Sequence, residues 1–226
     1  MKDIIFDSSS IISLTSINLL SVLSELKKRE KVNFLITQGV YDEVIIPGEK
    51  NYRFGWSSEQ IQNSIDSGLL GVKKLTPPQE KEYVFFEDLV NNILSTKYGP
   101  IQILQKGELE SIIFLAGLTD KKLFCIDELI TRELIDDPKR LKSILDKRYK
   151  TTLYMDETKL TKFKEYIGDV KVIRSVDLTA YAFNKDYFKQ YGTNKDTHLI
   201  KSLLYALKDN GCAVLYEEIE NYVKKI

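Results

Sequence analysis

Residues 4–14 read IIFDSSSIISL, and the order of residue types in this stretch decides the fold. Ile4, Ile5 and Phe6 form a short apolar run that a polar turn, Asp7-Ser8-Ser9-Ser10, stops. Apolar residues then recur at helical spacing through residues 11–28. The pattern is strand, turn, helix. The serine oxygens suit the helix start because they accept from its free N–H groups. In open parallel sheets ligands sit beyond the carboxyl ends of the strands. An acid in this turn, Asp7, therefore faces a site rather than the core.

The same alternation continues outward. VNFLITQGV (32–40) reads as a strand, and VYDEVIIPG (40–48) as a short helix that ends at Pro47-Gly48. Residues 49–58 are polar and turn-like. A helix over 57–70, a strand over 71–77, a helix over 80–99 and a strongly apolar helix after Gly107 follow, and then the buried strand KKLFCID (121–127). Strands alternating with helices predict an α/β fold with a mainly parallel central sheet. Beyond Asp127, residues 128–150 are helical in pattern, 151–168 are ambiguous, and 169–176 read as a strand. Two last helices cover 196–211 and 215–225.

Composition narrows the function classes. With 226 residues, 43% hydrophobic and 29% charged, the chain makes one large domain that buries a core without staples. Its 33 basic residues balance 33 acidic ones, so any nucleic-acid contact has to come from a local patch. Cys125 and Cys212 each lie in an apolar run, which predicts buried thiols in a reducing compartment. No signal-peptide pattern opens the chain, and no apolar stretch approaches the roughly 20 residues of a membrane span. The expectation is a cytoplasmic protein without membrane contact.

Carboxylates carry the chemistry. Asp127 ends a buried strand and opens a loop, as Asp7 does. Glu43 lies on the short helix after the second strand. Glu108 and Glu110 begin the helix after Gly107 and flank its apolar stripe of Leu109, Ile112, Ile113 and Ala116 on opposite sides. One of the two is expected at a metal, with the other supporting it or facing solvent. Glu43 or Glu110 alone reads as a surface group, whereas Asp7, ending a buried strand, does not; several acids together repel unless a divalent cation joins them. All-oxygen ligation suits Mg²⁺ or Mn²⁺, and the single His198 argues against a histidine-rich site. Such ions activate water and stabilise a leaving oxygen in phosphoryl displacement.

These residues resemble the PIN-domain nucleases. IIFDSSSIISL resembles the family's opening strand, VYDEV its Glu-bearing helix, and KGELESIIFLAG with LFCIDE the Gly-Glu-x-Glu helix and acidic pair of a toxin-like subfamily. IKSLLYALKDNGCAVLYEEIENYVKK resembles that subfamily's last helices. The resemblance implies a PIN-like three-layer sandwich, with residues 133–170 as an insertion in a single domain. It implies a metal-dependent ribonuclease, often the toxin of a toxin–antitoxin pair, which would add an antitoxin protein as partner. PIN-like proteins are commonly homodimers. Carried over by position, Asp7, Glu43, Glu108 and Asp127 form the catalytic, metal-binding set, with Glu110 and Glu128 as auxiliary ligands and Ser9 orienting Asp7 or a metal-bound water.

Residues 138–150 hold six basic residues against one acid. Lys139, Arg140, Lys142 and Arg148 are the candidates there for phosphate contacts with single-stranded RNA, and Tyr149, Tyr154 and Tyr166 for base stacking. A solvated helical face is the plainer reading. Trp56 is expected as a packed loop aromatic and His198 as a residue at a helix start. The main alternative is a catalytically inactive nucleic-acid or protein binding module on the same scaffold. A haloacid dehalogenase-type phosphatase needs a second Asp where Ser9 stands, and no Gly-rich phosphate loop follows the first strand.

Overall fold

The computed structural model describes residues 2–119, 121–189 and 196–225. In chain order the elements are β1 (Lys2–Phe6), α1 (Ser8–Ser16), α2 (Leu20–Glu30), β2 (Val32–Thr37), α3 (Gln38–Lys50), α4 (Tyr52–Asp66), β3 (Leu70–Lys73), α5 (Pro77–Val90), β4 (Leu94–Thr96) and β5 (Gly99–Pro100). They continue with α6 (Lys106–Ala116), β6 (Lys122–Cys125), α7 (Leu129–Asp136), α8 (Pro138–Tyr149), β7 (Tyr154–Met155), α9 (Glu157–Ile167), β8 (Lys171–Ile173), α10 (Ser175–Asn184), α11 (Thr197–Asp209) and α12 (Tyr216–Lys224).

Five strands pair in parallel in the order β3-β2-β1-β6-β8. Side chains alternate along them between two cores, as the period of two requires. Ile4, Phe6, Phe34, Ile36 and Cys125 enter one core, with α1–α4 and α10–α12. Ile5, Leu35, Phe124 and Ile126 enter the other, with α5–α9. The result is an α/β sandwich of three layers, as the sequence predicts. Among the described residues no single helix is long and apolar enough to cross a membrane.

Residues 133–170 pack into the second layer. Leu141, Leu145, Leu153, Phe163 and Ile167 share its core with Ile112 and Ile113 of α6. β7 pairs antiparallel with β4, and β4 with β5, in a small second sheet.

Several boundaries differ from the expected ones, each for a local reason. The helix read over 11–28 breaks at Asn18, whose φ of 58° stops α1 before α2 begins. Residues 49–58 are not a turn: α4 starts at Tyr52 and carries Trp56, which is 73% exposed rather than packed in a loop. The helix read over 80–99 ends at Val90; the β4–β5 hairpin follows, with Gly99 at φ +135°. Residues 128–150 split at Asp137-Pro138, because proline has no N–H to continue α7 but fits the first turn of α8. The strand read over 169–176 shortens to β8, and Ser175 opens α10.

Candidate active site

Asp7 caps α1 at the carboxyl end of β1 and is 2% exposed. Its Oδ2 accepts from the Ser9 amide at 2.9 Å and the Ser9 hydroxyl at 2.6 Å. Its Oδ1 is buried and has no hydrogen-bond partner among the described residues. Ser9 also reaches across the sheet, its Oγ accepting from the Asp127 amide at 3.2 Å. Burial pushes the Asp7 carboxyl up to about 6; the Ser9 bonds oppose this, and the Glu43 charge adds to it.

Glu43 reaches the site because α3 and α6 cross closely at Gly39 and Gly107. A Cβ on Gly107 would lie 2.8 Å from Glu43 Oε1, and one on Gly39 3.0 Å from Glu110 Oε2. In their absence the Gly107 amide donates to Glu43 Oε1 at 3.0 Å, and the Gly39 amide donates to Glu110 Oε2 at 2.6 Å. No hydrogen bond reaches Glu43 Oε2 among the described residues. Glu110 is buried against α3, with Lys106 Nζ 3.8 Å from its Oε1, so it is not a surface residue.

Glu108 serves two purposes. Its Oε2 accepts from the Gln105 amide at 2.8 Å and closes the capping box of α6. Its Oε1 accepts from the Thr131 hydroxyl at 2.5 Å. Burial, then the Asp7 charge, raises its carboxyl to about 8. Thr131 is fully buried and also gives its amide to Glu128 Oε2 at 2.8 Å, so one residue ties Glu108 to the acid that caps α7.

Asp127 is held differently. Both of its oxygens accept from Ser175: Oδ1 from the amide at 2.8 Å and Oδ2 from the hydroxyl at 2.6 Å. Its carbonyl accepts from the Ala213 amide at 3.1 Å. Asp127 thus joins the end of β6 to α10 and to the segment after α11.

The structure places Asp7, Glu43 and Glu108 in one electrostatic field, with Glu128 coupled through Glu108. Asp127 turns both oxygens to the amide and hydroxyl of Ser175, and Glu110 turns to the Gly39 amide. Among the described residues no three His, Cys, Asp or Glu groups converge tightly enough to enclose an ion by themselves. Mg²⁺ does not require that, since one or two carboxylates and several waters commonly hold it. The unpartnered Asp7 Oδ1 and the open Glu43 Oε2 are oxygen donors of the kind a hard cation takes, whereas both Glu108 oxygens already accept hydrogen bonds.

Of the basic candidates on α8, Arg140 pairs with Glu133 at 3.3 Å and Lys142 with Asp146 at 2.8 Å. Lys139 and Arg148 are exposed and form no ion pair among the described residues. Tyr149 and Tyr154 are exposed, whereas Tyr166 packs on Phe86 with ring centroids 3.9 Å apart. His198 is exposed at the start of α11. Sequence reading missed Thr131, Ser175 and Lys106, whose Nζ meets Asp42 at 3.1 Å beside the α3–α6 crossing. Lys106 stands next to Gly107 and was open to suspicion; nothing local marks Ser175.

A family model described as a PIN domain matches residues 3–137. No curated protein and no solved structure matches the chain. The matched segment holds every candidate acid but stops before β8 and Ser175.

Proposed function

The chain belongs to the PIN-domain family, whose members are generally nucleases, and from that premise we propose that it is a metal-dependent endoribonuclease acting on single-stranded RNA. The observation that carries the reading is Asp7 Oδ1, buried and without a partner beside Glu43 and Glu108. A buried carboxylate oxygen left unpaired is costly unless a ligand completes it.

Asp7 and Glu43 would hold Mg²⁺ or Mn²⁺, with Glu108 beside them and Glu128 and Asp127 as further members of the set. When bound, the ion supplies an activated water and neutralises charge on the scissile phosphate. Ser9 fixes Asp7 so that Oδ2 is occupied and Oδ1 stays open. Gly107 fixes Glu43 by one oxygen and leaves the other open. Burial and the Asp7 charge favour the protonated form of Glu108 in the metal-free chain, which limits its repulsion with Asp7. The role of toxin in a toxin–antitoxin pair, with an antitoxin protein as partner, rests on the resemblance of the Gly-Glu-x-Glu helix alone, and the homodimer on family habit.

One observation favours a second reading, a binding module without catalysis: Ser175 occupies both Asp127 oxygens. Cleavage of a mixed, labelled single-stranded RNA pool with Mg²⁺ or Mn²⁺ separates the two. Metal-dependent cleavage that disappears in Asp7→Asn supports the nuclease. No cleavage by clean wild-type protein, with no calorimetric metal binding, selects the module.

A further inference from the structure

A cleft of about 220 Å³ opens between α1, α3 and α4. Ile12, Val44, Pro47 and Phe54 give it apolar walls, and Glu43 and Ser57 also line it. Ser58 is engaged, its hydroxyl meeting the Val44 carbonyl at 2.5 Å and the Phe54 carbonyl at 3.0 Å. Ser57 makes no hydrogen bond among the described residues. The cleft is therefore apolar, with one open hydroxyl and one acid that it shares with the candidate active site.

The backbone around it is specialised. A Cβ on Gly48 would lie 1.8 Å from Ser58 Oγ, so only glycine lets α4 pack this closely on α3. Pro47, inside α3, has no N–H to give to the Glu43 carbonyl one turn earlier. Large rings stand exposed on the same segment: Tyr52 at 104%, Trp56 at 73% and Phe54 at 41%. Trp56 is held by its edge. In the orientation that satisfies both ends of its amide, Gln60 accepts from Trp56 Nε1 at 2.8 Å and donates to the Thr15 carbonyl at 3.2 Å. An aromatic ring anchored by its edge and exposed on its face is a stacking surface.

We propose that this cleft binds an unpaired nucleobase of a single-stranded nucleic acid, with Trp56 exposed nearby on α4, the helix that carries its Phe54 and Ser57 walls. The inference rests on the nuclease reading and specifies its substrate. Sites for drug-sized ligands span roughly 300–1,000 Å³; this cleft is smaller and suits one ring system. A duplex keeps its bases stacked inside and cannot supply one. Because Glu43 lines both places, a base in the cleft belongs to a nucleotide adjoining the phosphate at Asp7 and Glu43. The Ser57 hydroxyl donates or accepts, so it can meet the edge of any base.

Trp56 is the only tryptophan in the chain, which makes its emission a direct readout. Metal-free protein is titrated with a short single-stranded RNA, with the matching DNA, and with the annealed duplex. Saturable quenching by the single strands and none by the duplex is expected, with binding weakened roughly tenfold or more in Phe54→Ala. Ser57→Leu, at a half-buried position, should plug the cleft and weaken binding similarly; thermal melts check that both variants fold. Unchanged emission, with both variants binding RNA as the wild type does, overturns the base site. If metal-dependent cleavage persists in that case, the nuclease reading stands alone; if the wild type neither binds nor cleaves RNA, both readings fall. Self-association that Trp56→Ala abolishes would assign this face to a second copy of the chain and also overturn the proposal.

Discussion

Glu43 and Glu110 each accept the backbone N–H of a glycine on the other's helix, from Gly107 at 3.0 Å and from Gly39 at 2.6 Å. The exchange locks α3 to α6 and aims the two acids apart: Glu43 toward Asp7, Glu110 into the crossing. A Cβ on Gly107 would strike Glu43 itself, at 2.8 Å. Gly107→Ala should therefore cut cleavage at least tenfold while costing about 1–3 kcal/mol of stability, the usual range for overpacking. Gly39→Ala should cost similar stability with a smaller effect on rate, because it displaces Glu110. Denaturant melts beside cleavage rates test the pair; a Gly107→Ala enzyme of unchanged rate would show that the position of Glu43 is immaterial.

The pH dependence of the metal-free protein follows from two raised carboxyls. Asp7 rises to about 6 and Glu108 to about 8 in the fold, above their ordinary values. The folded state then binds more protons than the unfolded chain through this range, so stability falls as pH rises. The contribution is fully present below about pH 4 and is lost as pH passes first the folded Asp7 value and then that of Glu108. Melting temperature in chelator should decline from pH 5 to pH 8.5, less steeply in Asp7→Asn, which should also melt higher than wild type at pH 7.5. Parallel curves for the two proteins would remove Asp7 as a source of the effect.

Ser175 and Asp127 make a prediction that separates a clamp from a ligand. Ser175→Ala removes the hydroxyl from a fully buried carboxylate and should cost about 1–3 kcal/mol. If Asp127 serves chiefly to join β6 to α10, Asp127→Asn will lower the melting temperature and leave calorimetric Mn²⁺ affinity near that of wild type. A loss of Mn²⁺ binding comparable to that in Asp7→Asn would return Asp127 to the metal.

The fold was readable where period and punctuation agreed. Ile4 to Phe6 and the serine turn after Asp7 defined the first strand and its helix, and the apolar run LFCI before Asp127 marked another buried strand ending in an acid. The misread segments share a physical cause. Around residues 49–58 polarity suggested a turn, but α4 presents only one face to α3 and leaves Tyr52 and Trp56 outside. At Asn18 a single residue with positive φ divides an unbroken apolar period. The acids were visible as residue types at strand and helix ends. Their partners were not: which of Glu108 and Glu110 turns inward depends on a two-glycine crossing, and the state of Asp127 on Ser175, which lies 48 residues away.

The basic helix α8 offers two kinds of cation, and they should behave differently toward RNA. Arg140 and Lys142 are already paired with Glu133 and Asp146, so a phosphate would have to displace a carboxylate. Lys139 and Arg148 are exposed and have no such competitor. For single strands each phosphate neutralised contributes about 0.7 to the slope of log affinity against log salt. Replacing Lys139 and Arg148 together by alanine should therefore weaken binding to Asp7→Asn protein at low salt and flatten that slope by up to about 1.4. Removing Arg140 and Lys142 should change it less. If neither pair alters the slope, α8 is a solvated face and the phosphate contacts lie elsewhere; Lys106 beside the α3–α6 crossing is then the first position to replace.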